Sequence, residues 1–353
     1  MAGDAGGAGR SISAARTGRR NDKRGMDPHM ALTVALQMDP MESLNIAGDS
    51  TFAIMLAGQA REHSLYHYRP EAMTWRGGRL YAEARAVTVQ RVDGDHFRFG
   101  EAVRLDLGRD VDVVWMRQDP PFDLNYITAT HLLERIGEET LVVNDPAAVR
   151  NAPEKLFVLD FARFMPPTMI TRSLAETRDF LAEHGEIVVK PIYGNAGSAV
   201  FRIGPDGMNL AALVELFGEM WVESFMVQAF LKDVAKGDKR IVLVDGEVAG
   251  AINRIPGKGE FRSNLAAGGS AAKAELTLQE QEICAALGPE LRKRGLLFVG
   301  IDVIGGRWLT EINVTSPTGI VAIDAFNGTD TGAMIWDAVE RRLAERAAAR
   351  GAG

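Results

Sequence analysis

Two acidic residues and an asparagine near the C-terminus have the types and spacing of a metal site. They lie in Phe298–Gly319 (FVGIDVIGGRWLTEINVTSPTG), where two strand-like runs meet at Gly305-Gly306, a dipeptide suited to a tight hairpin turn. A two-residue turn aligns the strands in these pairs: Ile304 with Arg307, Asp302 with Leu309, and Gly300 with Glu311. The polar side chains that then share one face are Asp302, Glu311 and Asn313.

The chemistry of this face is that of a hard cation. Carboxylate and amide oxygens bind Mg²⁺, which usually keeps waters and substrate phosphates in its coordination shell. A three-residue turn would break the alignment. The alternative interpretation is a solvated strand face with ordinary surface acids, and the spacing alone does not separate the two.

Two upstream segments could bind an anion. Lys190 ends a strand-like run and precedes Tyr193–Ser198, a glycine-containing segment whose backbone N–H groups could contact a phosphate. The alternative there is a plain β-hairpin, because the spacing matches neither a Walker P-loop nor a dinucleotide fingerprint. Arg254–Gly269 carries four glycines and three cations and has few core residues. It is expected to be a mobile lid; the alternative is an ordinary surface loop.

The elements of the first half alternate between strand and helix, which predicts a parallel α/β sheet. The predicted strands are Ala31–Met38, Ala86–Val92, Val111–Met116 and Thr140–Val143. The predicted helices are Thr51–Glu62, capped by Asp49, then Tyr126–Ile136 and one that starts at Pro146. Ligands collect at the carboxyl ends of parallel strands. Asp39 and Arg117 each follow a strand, so they either form a substrate rim or are ordinary loop charges.

After Pro153 the pattern changes to longer helices and hairpins. The predicted helices are Glu154–Phe164, Leu174–His184, Leu278–Lys293 and about Ala333–Ala348. The predicted strands are Ile187–Pro191, Ala199–Ile203 and Phe225–Leu231, followed by a hairpin of Ile241–Val244 and Val248–Ile252 that turns at Asp245-Gly246.

Composition excludes several classes of protein. The 353 residues are 46% hydrophobic and 25% charged, as in globular proteins. Cys284 is the single cysteine, which excludes an intramolecular disulfide and fits a reducing compartment such as the cytoplasm. No apolar run has the length of a membrane span. A net charge of −7 argues against nucleic-acid binding.

The first 29 residues differ from the rest, with six basic against three acidic side chains and no apolar centre. They are expected to be a disordered extension, with Met30 heading the first strand; the alternative is a basic tail for an acidic partner.

Several short blocks, in order from about Leu32 to Leu343, resemble the prokaryotic type of glutathione synthetase, an ATP-grasp ligase. These blocks are MDP at 38–40, MRQDPPFD at 116–123, NDP at 144–146, EKLF at 154–157, KGDKR at 236–240, RIP at 254–256, NLAAGG at 264–269 and TEINVTSPTG at 310–319. The resemblance implies an α/β pre-ATP-grasp domain with a parallel sheet, followed by an ATP-grasp domain of two α+β subdomains with ATP between antiparallel sheets. The expected bounds are 30–150 for the first domain, 151–345 for the second with its lid at 254–269, and a tail at 346–353.

The same resemblance implies roles for individual residues. Those expected to bind the nucleotide are Lys155, Lys190, Gly194, Asn195, Gly197, Ser198, Gln228, Ala229, Phe230, Leu231 and Asp238, with the adenine read mainly through backbone groups of Gln228–Leu231. Those expected to face the phosphate and the transferring acyl group are Arg240, Arg254 and Arg262. The implied metal ligands are Asp302, Glu311 and Asn313. Those implied for the peptide substrate are Asp39, Arg117, Asn264, Ser316 and Thr318.

The implied activity is the ATP-dependent joining of γ-glutamylcysteine to glycine through an acyl phosphate, with Mg²⁺ or Mn²⁺. The implied partners are these small molecules and further copies of the chain, without nucleic acid or membrane. The alternatives are another ATP-grasp carboxylate–amine ligase or a non-catalytic nucleotide-binding module. Two positions depart from the family pattern: Ala196 stands where a second glycine is usual, and Gln118 where a lysine is common.

Overall fold

A seven-stranded sheet forms the N-terminal part of the chain in the computed structural model, which describes residues 31–194, 197–263 and 268–351. The expected extension 1–29 lies outside the described residues. The strands are β1 Thr33–Gln37, β2 Ser64–Tyr68, β3 Met73–Arg76, β4 Arg79–Val89, β5 Phe97–Asp106, β6 Val113–Met116 and β7 Leu141–Val143. The helices are α1 Ser50–Ala60, α2 Leu124–Glu134 and α3 Pro146–Arg150.

The predicted parallel sheet is present, and three antiparallel strands extend it. Strands β2, β1, β6 and β7 pair in parallel in that order, while β3, β4 and β5 add antiparallel neighbours beyond β2. The strand predicted at Ala86–Val92 is the end of the longer β4, which stops at Val89. Strand β5 was not predicted, because its side chains are mostly exposed and it lacks the apolar run of a central strand.

The middle of the chain forms a four-stranded antiparallel sheet in the order β10-β9-β11-β8. Its elements are α4 Glu154–Phe157, β8 Thr168–Thr171, α5 Leu174–His184, β9 Ile187–Pro191, β10 Phe201–Ile203, α6 Leu210–Met220 and β11 Phe225–Ala229. The single helix predicted at Glu154–Phe164 is wrong in part, because a 3-10 segment replaces the α-helix from Val158 onward. Side-chain periodicity over so short a segment does not distinguish the two helix types.

The last part contains a five-stranded antiparallel sheet in the order β14-β13-β12-β15-β16. Its elements are β12 Asp238–Val244, β13 Glu247–Ile255, β14 Ser270–Lys273, α7 Leu278–Lys293, β15 Phe298–Ile304, β16 Trp308–Asn313, α8 Ile320–Asn327 and α9 Thr331–Gly351. The predicted turn at Asp245-Gly246 is confirmed, and both residues have positive φ, as hairpin turns require. Two antiparallel α+β parts thus follow a sheet that contains parallel strands, which confirms the predicted fold class.

Helix α9 packs along α1 of the N-terminal part. Trp336 donates its indole N–H to the carbonyl of Ile54 at 2.9 Å, and its ring lies against Gly58, where a Cβ would come within 2.8 Å of it. Residues 346–351, expected as a tail, continue this helix. In the part of the chain that the structure describes, every helix is too short or too polar to span a bilayer.

Candidate active site

The hairpin of β15 and β16 has a different register from the predicted one. The turn contains three residues instead of two, so Ile304 pairs with Trp308, and a bulge at Thr310 follows. The Thr310 hydroxyl donates to the carbonyl of Asp302 at 3.1 Å, which stabilises the bulge. The bulge adds one residue to β16 and offsets the longer turn, so Asp302 lies directly opposite Glu311 and the two side chains share a face after all.

Asp302 is buried and held by two arginines from neighbouring strands. Arg240 on β12 donates Nε and Nη2 to the carboxylate at 2.6 and 3.1 Å, and Nη2 of Arg254 on β13 forms an ion pair with it at 2.9 Å. Burial raises the pKa of Asp302, but the two guanidiniums outweigh burial and hold that pKa well below its usual range. Arg254 also forms an ion pair with Asp238 at 2.5 Å. Burial, together with the nearby charge of Asp302, raises the pKa of Asp238 although Arg254 opposes the shift.

Glu311 is held by two lysines from the preceding subdomain. Lys190 at the end of β9 lies 3.2 Å from its Oε1, and Lys155 on α4 lies 3.6 Å from the same oxygen. Burial raises the pKa of Glu311, but the two ammonium groups together hold it below its usual range. The pKa of Lys190 is itself lowered by burial, which Glu311 only partly offsets. These contacts join the four-stranded sheet to the five-stranded sheet.

The donor set fits a hard divalent cation. Asn313 lies on the same face as the two carboxylates, and its Oδ1 accepts from the N–H and the hydroxyl of Thr315 at 3.2 and 3.3 Å. Within the described ranges, no three His, Cys, Asp or Glu side chains cluster around a point. A cation here would therefore take one or two carboxylates, the amide oxygen and oxygens from water or substrate, as Mg²⁺ usually does.

A cleft between the two sheets brings together many of the predicted residues. Those that line it are Lys190, Gly197, Gln228, Ala229, Phe230, Leu231, Asp238, Arg262, Asp302 and Glu311. Lys155, Arg240 and Arg254 are not among the lining residues, but they contact Glu311, Asp302 and Asp238 through the ion pairs described above. Gly194 and Ser198 do not line the cleft, although Gly194 accepts a hydrogen bond from the Lys155 ammonium. Asn195 and Asn264 lie outside the described residues.

Some groups of the predicted adenine-binding edge, Gln228–Leu231, already form hydrogen bonds within the protein. The N–H groups of Ala229 and Phe230 donate to the carbonyls of Pro167 and Glu186 at 3.0 and 2.8 Å. The Gln228 side chain donates to the hydroxyl of Thr168. The cleft wall beside this edge is apolar and was not predicted; it includes Pro166, Val188, Val200, Val234, Phe261 and Ile304. Such a wall suits a flat aromatic ring.

The described part of the expected lid contacts the glycine segment. Arg262 donates Nη1 to the carbonyl of Gly197 at 3.1 Å, while its Nη2 forms an ion pair with Glu260 at 2.6 Å. The predicted lid at 254–269 begins inside β13, which continues to Ile255, and it includes residues 264–267, which the structure does not describe.

The predicted substrate residues lie at the carboxyl ends of β1 and β6 and after β16. Asp39 accepts from the N–H of Asp119 at 2.7 Å. Arg117 is buried, donates to Thr51 at 2.9 Å and to the carbonyl of Pro317 at 3.1 Å, and its Nη1 has no partner among the described residues. Ser316 is buried and Thr318 is exposed. Gln118, the departure from the family pattern, is buried and hydrogen-bonded to Gln37.

Sequence reasoning missed two residues beside this site. Burial raises the pKa of Glu154 to about 7, although neighbouring Lys155 opposes the shift. The sequence feature that could have indicated Glu154 was its position in the EKLF block at 154–157. Asn144 is buried and makes three hydrogen bonds, to both backbone groups of Phe298 and to the carbonyl of Val314, at 2.7–2.8 Å. The NDP block contained it, but its contacts depend on elements more than 150 residues away.

Comparisons with known proteins show the family of the chain. Residues 32–150 match the family model of the prokaryotic glutathione synthetase N-terminal domain, and residues 154–328 match that of its ATP-grasp domain. The chain is 55% identical to a glutathione synthetase from Rhodopseudomonas palustris over 315 residues, which is 89% of this chain and 100% of the relative. It is 43% identical to a glutathione synthetase from Shewanella oneidensis, over 89% of this chain and 100% of the relative.

Solved structures with the same fold include ATP-grasp ligases. The crystal structure of a D-cycloserine synthetase matches with a TM-score of 0.64 at 19% identity, covering 88% of this chain and 99% of the other. An ATP-grasp ligase complexed with its minimal precursor matches with a TM-score of 0.58 at 17% identity, covering 88% and 99%. At such identities the likeness shows the fold alone. The matching family models and the identity to the relatives show more: this chain belongs to the prokaryotic glutathione synthetase family.

Proposed function

We propose that the chain is an ATP-dependent ligase that joins γ-glutamylcysteine to glycine, releasing glutathione, ADP and phosphate. The observation that carries the proposal is the network in which Lys155 and Lys190 hold Glu311 while Arg240 and Arg254 hold Asp302. A bound metal–nucleotide could take both halves of this network, the carboxylates through the metal and the cations through the phosphates. The relatives named glutathione synthetase support the choice of substrates.

The proposed residues act by binding and orienting. The cysteinyl carboxylate attacks the γ-phosphorus of ATP and ADP leaves, which gives an acyl phosphate. The glycine amine then attacks the acyl carbon, and phosphate leaves with one oxygen of the original carboxylate. Lys155, Lys190 and the three arginines offset the negative charge on the phosphoryl oxygens, and no protein nucleophile is required. Closure of the predicted lid over the cleft would keep out water that hydrolyses the acyl phosphate.

We propose Asp302, Glu311 and Asn313 as ligands of Mg²⁺ or Mn²⁺. The bound cation would offset the negative charge of the substrate phosphates. Asp39, Arg117, Ser316 and Thr318 are proposed for the peptide, because Arg117 is a buried guanidinium with one donor left over in the described structure. The boundary between the substrate domain and the ATP-grasp domain at 150/151 remains part of this proposal.

A cytoplasmic location and a homo-oligomer complete the proposal. The single cysteine, Cys284, is buried, and a thiol peptide as substrate requires reducing surroundings. Size-exclusion chromatography with light scattering would measure the number of subunits directly.

Oxygen transfer tests the reaction itself. γ-Glutamylcysteine with heavy oxygen in its cysteinyl carboxylate is supplied with ATP and glycine, and the released phosphate is analysed by mass spectrometry. The phosphate should carry one labelled oxygen, and the nucleotide product should be ADP. Unlabelled phosphate would indicate simple ATP hydrolysis, and AMP with pyrophosphate would indicate an adenylate.

Replacing each substrate in turn tests the specificity. ADP formation that requires a different carboxylate or amine would point to another ATP-grasp ligase. Nucleotide binding without any phosphate release would point to a non-catalytic module. The matched control is the complete mixture of ATP, γ-glutamylcysteine and glycine.

A further inference from the structure

Two aromatic rings join the proposed peptide side of the site to the proposed nucleotide side. Phe122, in the loop that follows β6, stacks on Tyr193, which follows β9, with ring centroids 6.0 Å apart and planes 9° apart. This is the offset-stacked arrangement that aromatic pairs prefer. Neither ring belongs to the residues assigned to substrate or metal above.

On the peptide side, Phe122 belongs to a loop that is fixed to the proposed substrate residues. The N–H of Arg117 donates to the carbonyl of Gln37 at 2.7 Å, and the N–H of Asp119 donates to Asp39 at 2.7 Å. Phe122 also packs on Tyr126 of α2, with centroids 5.1 Å apart. A peptide that contacts Asp39 and Arg117 therefore acts on the same short loop that carries Phe122.

On the nucleotide side, Tyr193 is one residue away from a lysine contact. The carbonyl of Gly194 accepts from the ammonium of Lys155, which also lies 3.6 Å from Glu311. The backbone of Gly194 packs directly on the end of β9, since a Cβ there would lie 2.6 Å from the Pro191 ring. A shift of Tyr193 therefore changes the position of the acceptor that Lys155 uses.

The stacked rings border an open groove of about 350 Å³ and, on another side, a small void. The void has a volume of about 20 Å³, enough for about one water molecule. Its walls are Pro120, Phe122, Pro153, Glu154, Ile192, Tyr193, Gly194 and Thr315. Because the two ring faces are stacked on each other, ordering of the Phe122 loop by a ligand would be transmitted to Tyr193 through this contact.

We infer that the Phe122–Tyr193 stack couples peptide binding to nucleotide binding, so that Phe122 and Tyr193 are positioning residues for the ligation. The inference rests on the proposed function. Each ligand orders one side of the stack, so the second ligand binds to a partly ordered site. The stack thereby aligns Lys155 for the phosphates when the peptide is present.

Calorimetric titration measures this coupling. The non-hydrolysable analogue AMP-PNP is titrated with Mg²⁺ into the full chain, with and without saturating γ-glutamylcysteine. In the unaltered protein the peptide should lower the Kd of AMP-PNP by about two- to tenfold, the range that the stacking free energy of an aromatic pair allows. The ratio of the AMP-PNP Kd without peptide to the Kd with peptide should fall to about one in Tyr193→Leu and in Phe122→Leu. In the double variant this ratio should be no lower than in either single variant.

Three comparisons separate coupling from folding and from direct contact. Tyr193→Phe keeps the ring and should keep the ratio. Phe201→Leu removes a partly exposed ring from β10 of the same sheet, and should leave both ratio and turnover unchanged. The thermal midpoint and the Kd of each ligand alone should stay unchanged in Tyr193→Leu, since the rings are proposed to touch neither ligand.

The possible results are distinct. Loss of the ratio in both leucine variants, with single-ligand Kd values preserved, supports the coupling. Ligation by the unaltered protein without any effect of peptide on nucleotide Kd overturns it, as does a ratio that survives in the leucine variants. A weaker Kd for peptide alone in Tyr193→Leu also overturns it, because that ring would then contact the peptide directly. Failure of the unaltered protein to ligate these substrates at all would instead remove the proposed function.

Discussion

The carboxylates of Asp302 and Glu311 are each held by two cations that come from other elements. In the absence of a ligand, Arg240 and Arg254 neutralise the first, and two lysines neutralise the second. Breaking a buried ion pair is costly unless both partners are compensated. A metal–nucleotide complex compensates both at once, whereas a free metal or a free phosphate compensates one partner alone. Binding of metal and nucleotide is therefore expected to be mutually dependent at these residues.

Replacing Glu311 with alanine should remove nearly all ligation and leave the fold intact. The variant loses a proposed metal ligand and the partner of Lys155 and Lys190. Misplacing the metal's charge relative to the phosphates removes several kcal/mol of transition-state stabilisation, so kcat should fall at least about a hundredfold. Steady-state kinetics of ADP formation measure this, with the thermal midpoint as the check on folding.

The matched control is Glu247→Ala, which removes a carboxylate from the exposed end of the same sheet. Its partner Arg292 lies 2.8 Å away, and both side chains are largely solvated. Exposed pairs contribute little, so turnover should be unchanged. Turnover near the unaltered level in Glu311→Ala would show that the metal is bound elsewhere.

At the scale of elements, features set by local sequence signals were predicted correctly, whereas features that depend on distant contacts were not. Helix α5 has the predicted bounds because Ser173 caps its start and Gly185, with positive φ, follows its end. The hairpin of β15 and β16 was predicted at the correct position but with the wrong register. The register depends on a bulge that a hydroxyl–carbonyl contact stabilises, and no sequence pattern indicates such a contact. The face shared by Asp302 and Glu311 was predicted, but the cations that hold them were known only from the resemblance.

Asn144 fixes this hairpin from the N-terminal sheet. It follows β7 and bonds to Phe298 at the start of β15 and to Val314 just after β16. Asn144→Ala should leave one backbone donor and two backbone acceptors buried without these partners. Each costs about 1–3 kcal/mol, so the free energy of unfolding should fall by about 3 kcal/mol or more. Urea unfolding measures the loss.

The same change should also slow ligation under conditions where the variant is folded. Val314 lies next to Asn313 and two residues before Ser316, so a looser hairpin end misplaces a proposed metal ligand and a proposed substrate residue together. Asn253→Ala is the control, because its side chain also donates to a backbone carbonyl, that of Lys236, but at an exposed position. Equal losses in both variants would argue that Asn144 has no special role.

At the scale of the whole molecule, the first 29 residues lie outside the matches to the family models. The family match starts at residue 32, and the full length of the Rhodopseudomonas palustris relative aligns with 89% of this chain. A variant that begins at Met30 should therefore keep its turnover and its thermal midpoint. Comparing the two proteins side by side checks this, and a large loss of either property would show that the segment contacts the rest of the chain.

Arginines of helix α9 contact both the N-terminal part of the chain and the five-stranded sheet. Arg346 donates to the carbonyls of Gly137 and Glu138 in the N-terminal part. Arg341 and Arg342 bind the carboxylate of Asp245, the turn residue between β12 and β13, at 2.7 and 3.0 Å. Burial raises the pKa of Asp245, but these two guanidiniums outweigh it and lower the pKa below its usual value.

This contact predicts an acid-sensitive contribution to stability. Because the pKa of Asp245 is lower in the folded protein than in the unfolded chain, its contribution is fully present above the unfolded value, near 4, and disappears as the pH falls through the folded value. Asp245→Asn keeps the shape and tolerates the positive φ of this turn, so it removes the charge alone. At pH 7 its thermal midpoint should be lower by a few degrees, which corresponds to about 1–2 kcal/mol. Below about pH 4 the difference should shrink as the pH falls, while Asp93→Asn, an exposed control, should show little difference throughout. A difference that stays constant down to pH 3 would mean that the α9 arginines do not stabilise the turn through its charge.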